Sequence, residues 1–309
     1  MGNRSANGRR KVKVRTGWFF ILWTLCFGIA GAQPQVFPID PALTSIHIRS
    51  IHGPHIALRD TASKPLGLLF LMIVGTGAHA TDNYSIDSFA ATKGYHVLSL
   101  DYPNNVITTS CSNSDDSTCF DRFREEIIVG SPVSPLVDVD SANSICNRLL
   151  TVLKYLSAHH PKQGWNHFIS KGKIQWQNIV VAGHSQGAGH AAWLGKMFSV
   201  KKVIMLAGPQ DYLALFHRPA GWQLMPSKTP RNRFVSFLHA DDPFDFNRQL
   251  ADDRAILNDS TIQPLEVFPG KAASRKASIY FNRMPTSNPH GSMLLPVFSR
   301  VWADLLPSQ

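Results

Sequence analysis

The segment that most constrains this chain is Gly183-His184-Ser185-Gln186-Gly187, set between the run Asn178-Ile179-Val180-Val181-Ala182 and the small residues Ala188-Gly189-His190-Ala191-Ala192. A short buried strand, a glycine-bounded serine and a small-residue helix together predict a nucleophile elbow, a sharp strand-to-helix turn. Bulky neighbours would clash in so tight a turn. Gly183 and Gly187 relieve that crowding, and Ala188 and Gly189 let the helix start close to the strand. The turn lifts the Ser185 hydroxyl above the sheet edge. It also leaves the Gln186 N–H at a helix N-terminus, facing any oxygen that becomes negative during attack. The five-residue pattern alone arises by chance in about one chain in ten of this length. The strand before it and the helix after it carry the reading.

A serine hydroxyl needs a base, and the base needs an orienting acid. In a strand–elbow–helix arrangement the acid and then the histidine follow the serine along the chain. The segment Arg233-Phe234-Val235-Ser236-Phe237-Leu238-His239 reads as a strand and runs into Ala240-Asp241-Asp242-Pro243. Pro243 cannot continue a ladder, so the acid sits where the strand stops. Asp242 is the favoured acid. Asp241 beside it points the opposite way in an extended segment, and Asp211 is a further candidate whose other role is a helix N-cap. Ser278-Ile279-Tyr280-Phe281 reads as the next strand, and His290 follows in a turn-rich loop as the base. His184 and His190 read as strand-end packing and a helix-face polar contact. For the second donor to a developing oxyanion, Gly75-Thr76-Gly77-Ala78 follows the strong strand-like run at 68–74, which nominates the N–H of Thr76 or Gly77.

With these residues in place the chain resembles an α/β-hydrolase. It is similar to secreted bacterial members whose elbow reads GHSQGxGHA, and to lipases and cutinase-like esterases. The resemblance spans residues 44 to 306 and departs from the family at 105–140, where the usual connection is short. It implies a serine hydrolase with an oxyanion hole. Ser185, Asp242 and His290 would be its triad, with Gln186 and Thr76 or Gly77 as donors.

The N-terminus reads as an export signal. Arg4, Arg9, Arg10, Lys11, Lys13 and Arg15 precede an apolar run at 17–30, and Ala30-Gly31-Ala32 gives a small-x-small cleavage site. The apolar run is short for a membrane span, although an uncleaved anchor is the alternative reading. Removing 1–32 takes six positive charges and lowers the formal charge from +10 to +4. The basic balance is then a targeting feature, and no Lys/Arg stripe argues for nucleic acid. The periplasm or the extracellular space is the expected location. There Cys111 and Cys119 are expected to form a disulfide, the alternatives being free thiols or a bond to Cys146. No Cys/His spacing suggests a metal.

What remains, 33–309, suits one α/β domain with a mostly parallel sheet of about eight strands flanked by helices. Strands are expected near 68–74, 95–100, 178–183, 202–207, 233–239 and 278–281, with an early hairpin pairing 45–51 with 55–59. Helices are expected at 141–158, 186–197 and 292–306. The insertion at 105–140 and the stretch 216–231 are candidate walls or lids. Arg122, Arg124, Glu125 and Glu126 read as salt-bridged loop anchors, while Trp222 and Met225 either line a pocket or pack the loop down. The expectation is a monomeric, exported hydrolase of carboxylic esters of unknown size, needing no cofactor and keeping no membrane span after signal cleavage. An acyltransferase or amidase with the same triad is the alternative, as is a non-catalytic binding module on this scaffold.

Overall fold

The computed structural model describes residues 1–2 and 33–307. The expected signal sequence therefore lies almost wholly outside the described residues. Nine strands form one mixed sheet: β1 Gln35–Ile39, β2 His55–Arg59, β3 Leu69–Ile73, β4 His96–Leu100, β5 Ile179–His184, β6 Lys202–Leu206, β7 Phe234–His239, β8 Leu265–Glu266 and β9 Ile279–Asn282. Their spatial order is β1-β2-β4-β3-β5-β6-β7-β9-β8. β2 is antiparallel to β1 and to β4. Every other neighbouring pair is parallel.

The central strands are continuous apolar runs because both sheet faces are covered. Alternation divides their side chains between two layers. Leu69, Leu71 and Ile73 of β3 join one layer with helices α3 (Cys119–Val129), α4 (Ile145–His159) and α5 (Gln186–Met197). Phe70 and Met72 join the other with α2 (Tyr84–Thr92) and α7 (Ser299–Leu305), and a short α1 (Pro41–Thr44) follows β1. The helix α6 (Phe246–Ile256) extends the first layer through Leu250 and Ile256. This is the architecture of an α/β-hydrolase fold.

Three sequence expectations are corrected. Residues 45–51 form no strand, and β2 pairs with β1 instead. The alternation at 45–51 does not form one buried face, since Ile46 is 86% exposed while Ile48 is 3% exposed. β1 tolerates Pro38 because it is an edge strand. The expected helix at 292–306 is broken at Pro296, with 3₁₀ turns at Ser292–Leu294 and Pro296–Phe298 preceding α7. The helix expected from 141 begins at Ile145, where the Ser144 hydroxyl accepts from the Asn147 N–H as an N-cap.

The insertion is more ordered than its polar sequence suggests. Cys111 and Cys119 are disulfide-bonded, tying a 3₁₀ turn (Thr108–Cys111) to the start of α3. Within α3, Glu126 is no salt-bridge anchor. Its carboxylate accepts from the N–H groups of Val133, Ser134 and Val139, and so folds the proline-rich segment back onto the helix. Cys146 keeps a free thiol, which burial pushes up to about 12.

Cys111 and Cys119 are eight residues apart, so their bond closes a short loop. Replacing both by Ala is expected to lower stability by about 2–3 kcal/mol, read from urea unfolding under non-reducing conditions. An unchanged midpoint would show that packing alone holds the insertion.

Candidate active site

Ser185 joins β5 to α5 with φ 58° and ψ −123°, a conformation that residues other than glycine rarely adopt. Close packing holds it there. A Cβ on Gly183 would overlap the Gly187 carbonyl, and one on Gly187 would overlap Ile73 O at the end of β3. The first turn of α5 therefore presses directly on the sheet, and the Ser185 N–H donates to Leu206 O at 2.8 Å.

The Gln186 side chain links this turn to two other loops. Its Oε1 accepts from Thr76 Oγ1 at 2.7 Å and from the Thr108 N–H at 3.1 Å. The loop after β3 is clamped by Asn104, whose Nδ2 donates to Gly75 O at 2.7 Å and to Ala78 O at 2.8 Å. The Gly77 N–H donates to Asn104 O at 3.0 Å, so of the two nominated donors Gly77 is already committed. The N–H groups of Thr76 and Gln186 have no acceptor among the described residues. Gly75 between them passes close to the serine, with a Cβ there falling 3.0 Å from Ser185 Cβ.

At the end of β7 the chain turns through Pro243. Asp242 accepts from the Phe244 N–H at 2.9 Å through Oδ1 and from His290 Nδ1 at 2.8 Å through Oδ2. Asp241 is exposed and makes no contact with His290. Burial pushes the Asp242 carboxyl up. The hydrogen bond and charge of His290, with the Phe244 N–H, outweigh it and leave the carboxyl below its ordinary value. A carboxylate only accepts, so Asp242 fixes the His290 proton on Nδ1 and turns Nε2 away from itself. His290 is held from both sides. Its ring lies 4.7 Å from Phe244 and 5.0 Å from His184, and its carbonyl accepts from His184 Nε2 at 2.8 Å. Burial, followed by the neighbouring His290, lowers the His184 pKa to about 4.

Ser185 and His290 are not hydrogen-bonded to one another. Ser185 Oγ accepts from Gln210 Nε2 at 3.3 Å, and His290 Nε2 is buried with no partner among the described residues. The chain order Ser–Asp–His thus brings an Asp–His pair and an elbow serine to one end of the parallel sheet, with Gln210 on the hydroxyl. Among the described residues no group of His, Cys, Asp and Glu could hold a metal ion.

Asp211 has a different task from the two weighed for it. It neither meets His290 nor caps a helix. The guanidinium of Arg124 donates to Asp211 Oδ1 at 2.6 Å and Oδ2 at 2.9 Å, with both side chains fully buried. Arg124 Nη1 also donates to Gln186 O at 2.6 Å, and its guanidinium fills the space that a Cβ on Gly189 would need. Arg124, expected to be a surface anchor, is a charged strut beneath the elbow. Only Arg122 keeps the expected role, paired with Asp116. Trp222 donates to Asp211 Oδ2 at 2.8 Å and packs 5.5 Å from Trp193, so it holds its loop down rather than lining a pocket. Met225 is exposed, and its carbonyl accepts from Lys196. His190 makes no polar contact. It is fully buried against Tyr102, and burial with the nearby Arg124 charge holds its pKa well below the ordinary value.

Sequence reasoning missed Gln210, Arg124 and Asn104. Gln210 had a usable signal, since it follows β6, the parallel neighbour of β5, at the strand ends where sites form. For Arg124 the only trace is Gly189, whose missing side chain leaves room for the guanidinium.

No family model matches the sequence, and no curated protein matches it. Solved structures with similar backbones include a hyperthermophilic esterase from the archaeon Pyrobaculum calidifontis, at 13% identity and TM-score 0.43, covering 88% of this chain and 80% of that one. An acylaminoacyl peptidase from Pyrococcus horikoshii matches at 10% identity and TM-score 0.43, covering 88% of this chain and 40% of the peptidase. The chain therefore spans about two fifths of that peptidase.

Two outcomes follow from the buried charges. Arg124→Met strands the Asp211 carboxylate in the core and is expected to cost about 3–5 kcal/mol in urea unfolding. A cost under about 1 kcal/mol would remove Arg124 from the support of the elbow. His184 takes up its proton near pH 6.5 when unfolded but only near pH 4 when folded. Between those values the unfolded chain holds more protons, so stability falls as pH falls, by up to about 1.4 kcal/mol per pH unit. His184→Asn is expected to flatten the pH dependence of the urea midpoint by that share. Parallel curves for the two proteins would contradict it.

Proposed function

We propose that the protein is an exported serine hydrolase of carboxylic esters. The observation that carries this reading is the 2.8 Å bond from His290 Nδ1 to Asp242 Oδ2, formed beside an elbow serine flanked by two N–H groups without acceptors. Export is supported by the basic and apolar leader in residues 1–32 and by the Cys111–Cys119 disulfide.

In this reading Ser185 Oγ leaves Gln210, gives its proton to His290 Nε2 and bonds to the ester carbonyl carbon. The carbonyl electron pair moves to oxygen, and the N–H groups of Gln186 and Thr76 hold the resulting oxyanion. Asp242 stabilises the imidazolium. His184 is neutral above about pH 4, so it adds no repulsion to that cation. The imidazolium then protonates the leaving alcohol as the C–O bond breaks. Water repeats the sequence on the acyl-enzyme, losing a proton to His290, and releases the acid with Ser185 restored.

The test uses the mature protein, p-nitrophenyl esters and a fluorophosphonate probe. Wild type is expected to be labelled on Ser185 and to turn over short esters. Ser185→Ala is expected to lose labelling and at least about 10⁴-fold in kcat. Wild-type protein that neither labels nor hydrolyses any ester would overturn the reading in favour of a binding scaffold.

A further inference from the structure

A cavity of about 300 Å³ opens beside the candidate serine, lined in part by Asn113, Gln210, Tyr212, Phe244, Asp245 and Arg248. Two of these residues tie it to the reacting groups. Gln210 Nε2 donates to Ser185 Oγ, and the Phe244 ring packs 4.7 Å from His290. The cavity is built from three separate places: the disulfide-bonded insertion, the loop after β6, and the turn after β7 that leads into α6.

Its walls are polar and largely unpaired. The Asn113 amide, the Thr109 and Tyr212 hydroxyls and Gln210 Oε1 have no hydrogen-bond partner among the described residues. The groups that are paired hold the frame. Ser112 Oγ donates to Tyr212 O at 2.8 Å, and Arg248 lies over the Tyr212 ring at 5.4 Å. Arg248 is also matched by Asp245, its Nε lying 3.3 Å from Asp245 Oδ2. The charge at the rim is therefore balanced, and no uncompensated cation waits for a carboxylate or phosphate. What the cavity offers is a set of amide and hydroxyl groups that both donate and accept, which is the complement of hydroxyls. An acyl chain placed there would strip water from these groups and return nothing, and sites of this kind reject apolar analogues strongly. At about 300 Å³ the space lies at the small end for ligand sites.

We infer that the substrate is a short-chain ester of a small polyhydroxylated compound, such as an acetylated sugar or glycerol, whose hydroxyl-bearing part occupies this cavity. The inference rests on the ester-hydrolase reading above and adds the substrate class to it. Asn113 and Tyr212 are then specificity-determining residues. They touch the hydroxyl-bearing part and not the scissile bond.

The experiment compares kcat/KM of the mature protein on a partly acetylated methyl xyloside, on triacetin, on p-nitrophenyl acetate and on p-nitrophenyl palmitate. Fluorophosphonate labelling of Ser185 is followed in parallel. Wild type is expected to favour an acetylated polyol over palmitate by at least about 100-fold, a margin typical of a polar site set against an apolar analogue. The xyloside and triacetin arms distinguish a sugar from a glycerol ester. Asn113→Leu, and separately Tyr212→Phe, are expected to raise KM for the better polyol. Each is expected to lower the ratio of its kcat/KM to that on p-nitrophenyl acetate about tenfold, with Ser185 still labelled. A merely structural loss would lower both substrates together and leave the ratio in place, which would overturn the inference. Labelled wild type that prefers palmitate would overturn it too while keeping the hydrolase reading. Protein that neither labels nor turns over any of these esters would overturn both.

Discussion

Everything at this site depends on one steric contact, the first turn of α5 pressed against the carbonyl of Ile73 at the end of β3. Helix and strand approach this closely only because Gly187 carries no side chain, and the approach forces Ser185 to positive φ. The strain is local, and the surrounding sheet holds it. Ser185 N–H is bonded to β6, and β5 is hydrogen-bonded on both sides. A residue so over-determined cannot relax, so its hydroxyl and the following N–H point out of the sheet at a fixed angle. The N–H of Thr76 is aligned by the same logic from the other side, through the Asn104 clamp on its loop.

Electrostatics reinforce this geometry from below. Arg124 donates to the carbonyl of the residue whose N–H would face an oxyanion. A buried guanidinium is costly unless it is fully paired. Here Asp211 supplies both carboxylate oxygens, Trp222 binds the same carboxylate, and Asp252 Oδ2 accepts the Asp211 N–H at 2.8 Å. Burial raises the Asp252 carboxyl well above the ordinary range, with the nearby Asp211 charge adding to it. The two buried acids thus lie side by side beneath the elbow, with the Arg124 guanidinium facing Asp211. The network joins α3, the loop after β6 and α6 to the base of the elbow, so the insertion is tied into the support of Ser185.

The fold was legible because its signals are local and repeated. Apolar runs marked the parallel strands, and the small residues after Ser185 marked α5. Asp242 and His290 could be chosen from chain order and from the proline that stops β7, and the structure brings those two side chains together. The failures share a cause. Residues 45–51 alternate like a strand but pair with no strand, and α6, with its interior acids Asp252 and Asp253 buried, has too little apolar patterning to read as a core helix. Arg124 read as a loop anchor and Asp211 as a candidate acid or helix cap, because only a contact between positions 87 apart in the chain makes their burial tolerable. Long-range pairing of charges leaves no periodic trace in a sequence, whereas burial of apolar faces does.

The Gln186 side chain gives the site its coupling. Its Oε1 accepts one hydrogen bond from the loop that carries Thr76 and another from Thr108, at the start of the turn that ends in the disulfide. The same turn leads into Asn113 and the cavity wall. In the proposed ester-hydrolase reading, a group held by that wall would act on a path of one disulfide and two hydrogen bonds, ending at the N–H that would face the developing charge. Under that proposal, binding energy collected several residues from the reacting carbon would be spent on alignment there. A loosely tethered lid would not transmit it. The tie between the insertion and the elbow thus gathers a buried ion pair, a disulfide and an amide bridge within one short stretch of structure.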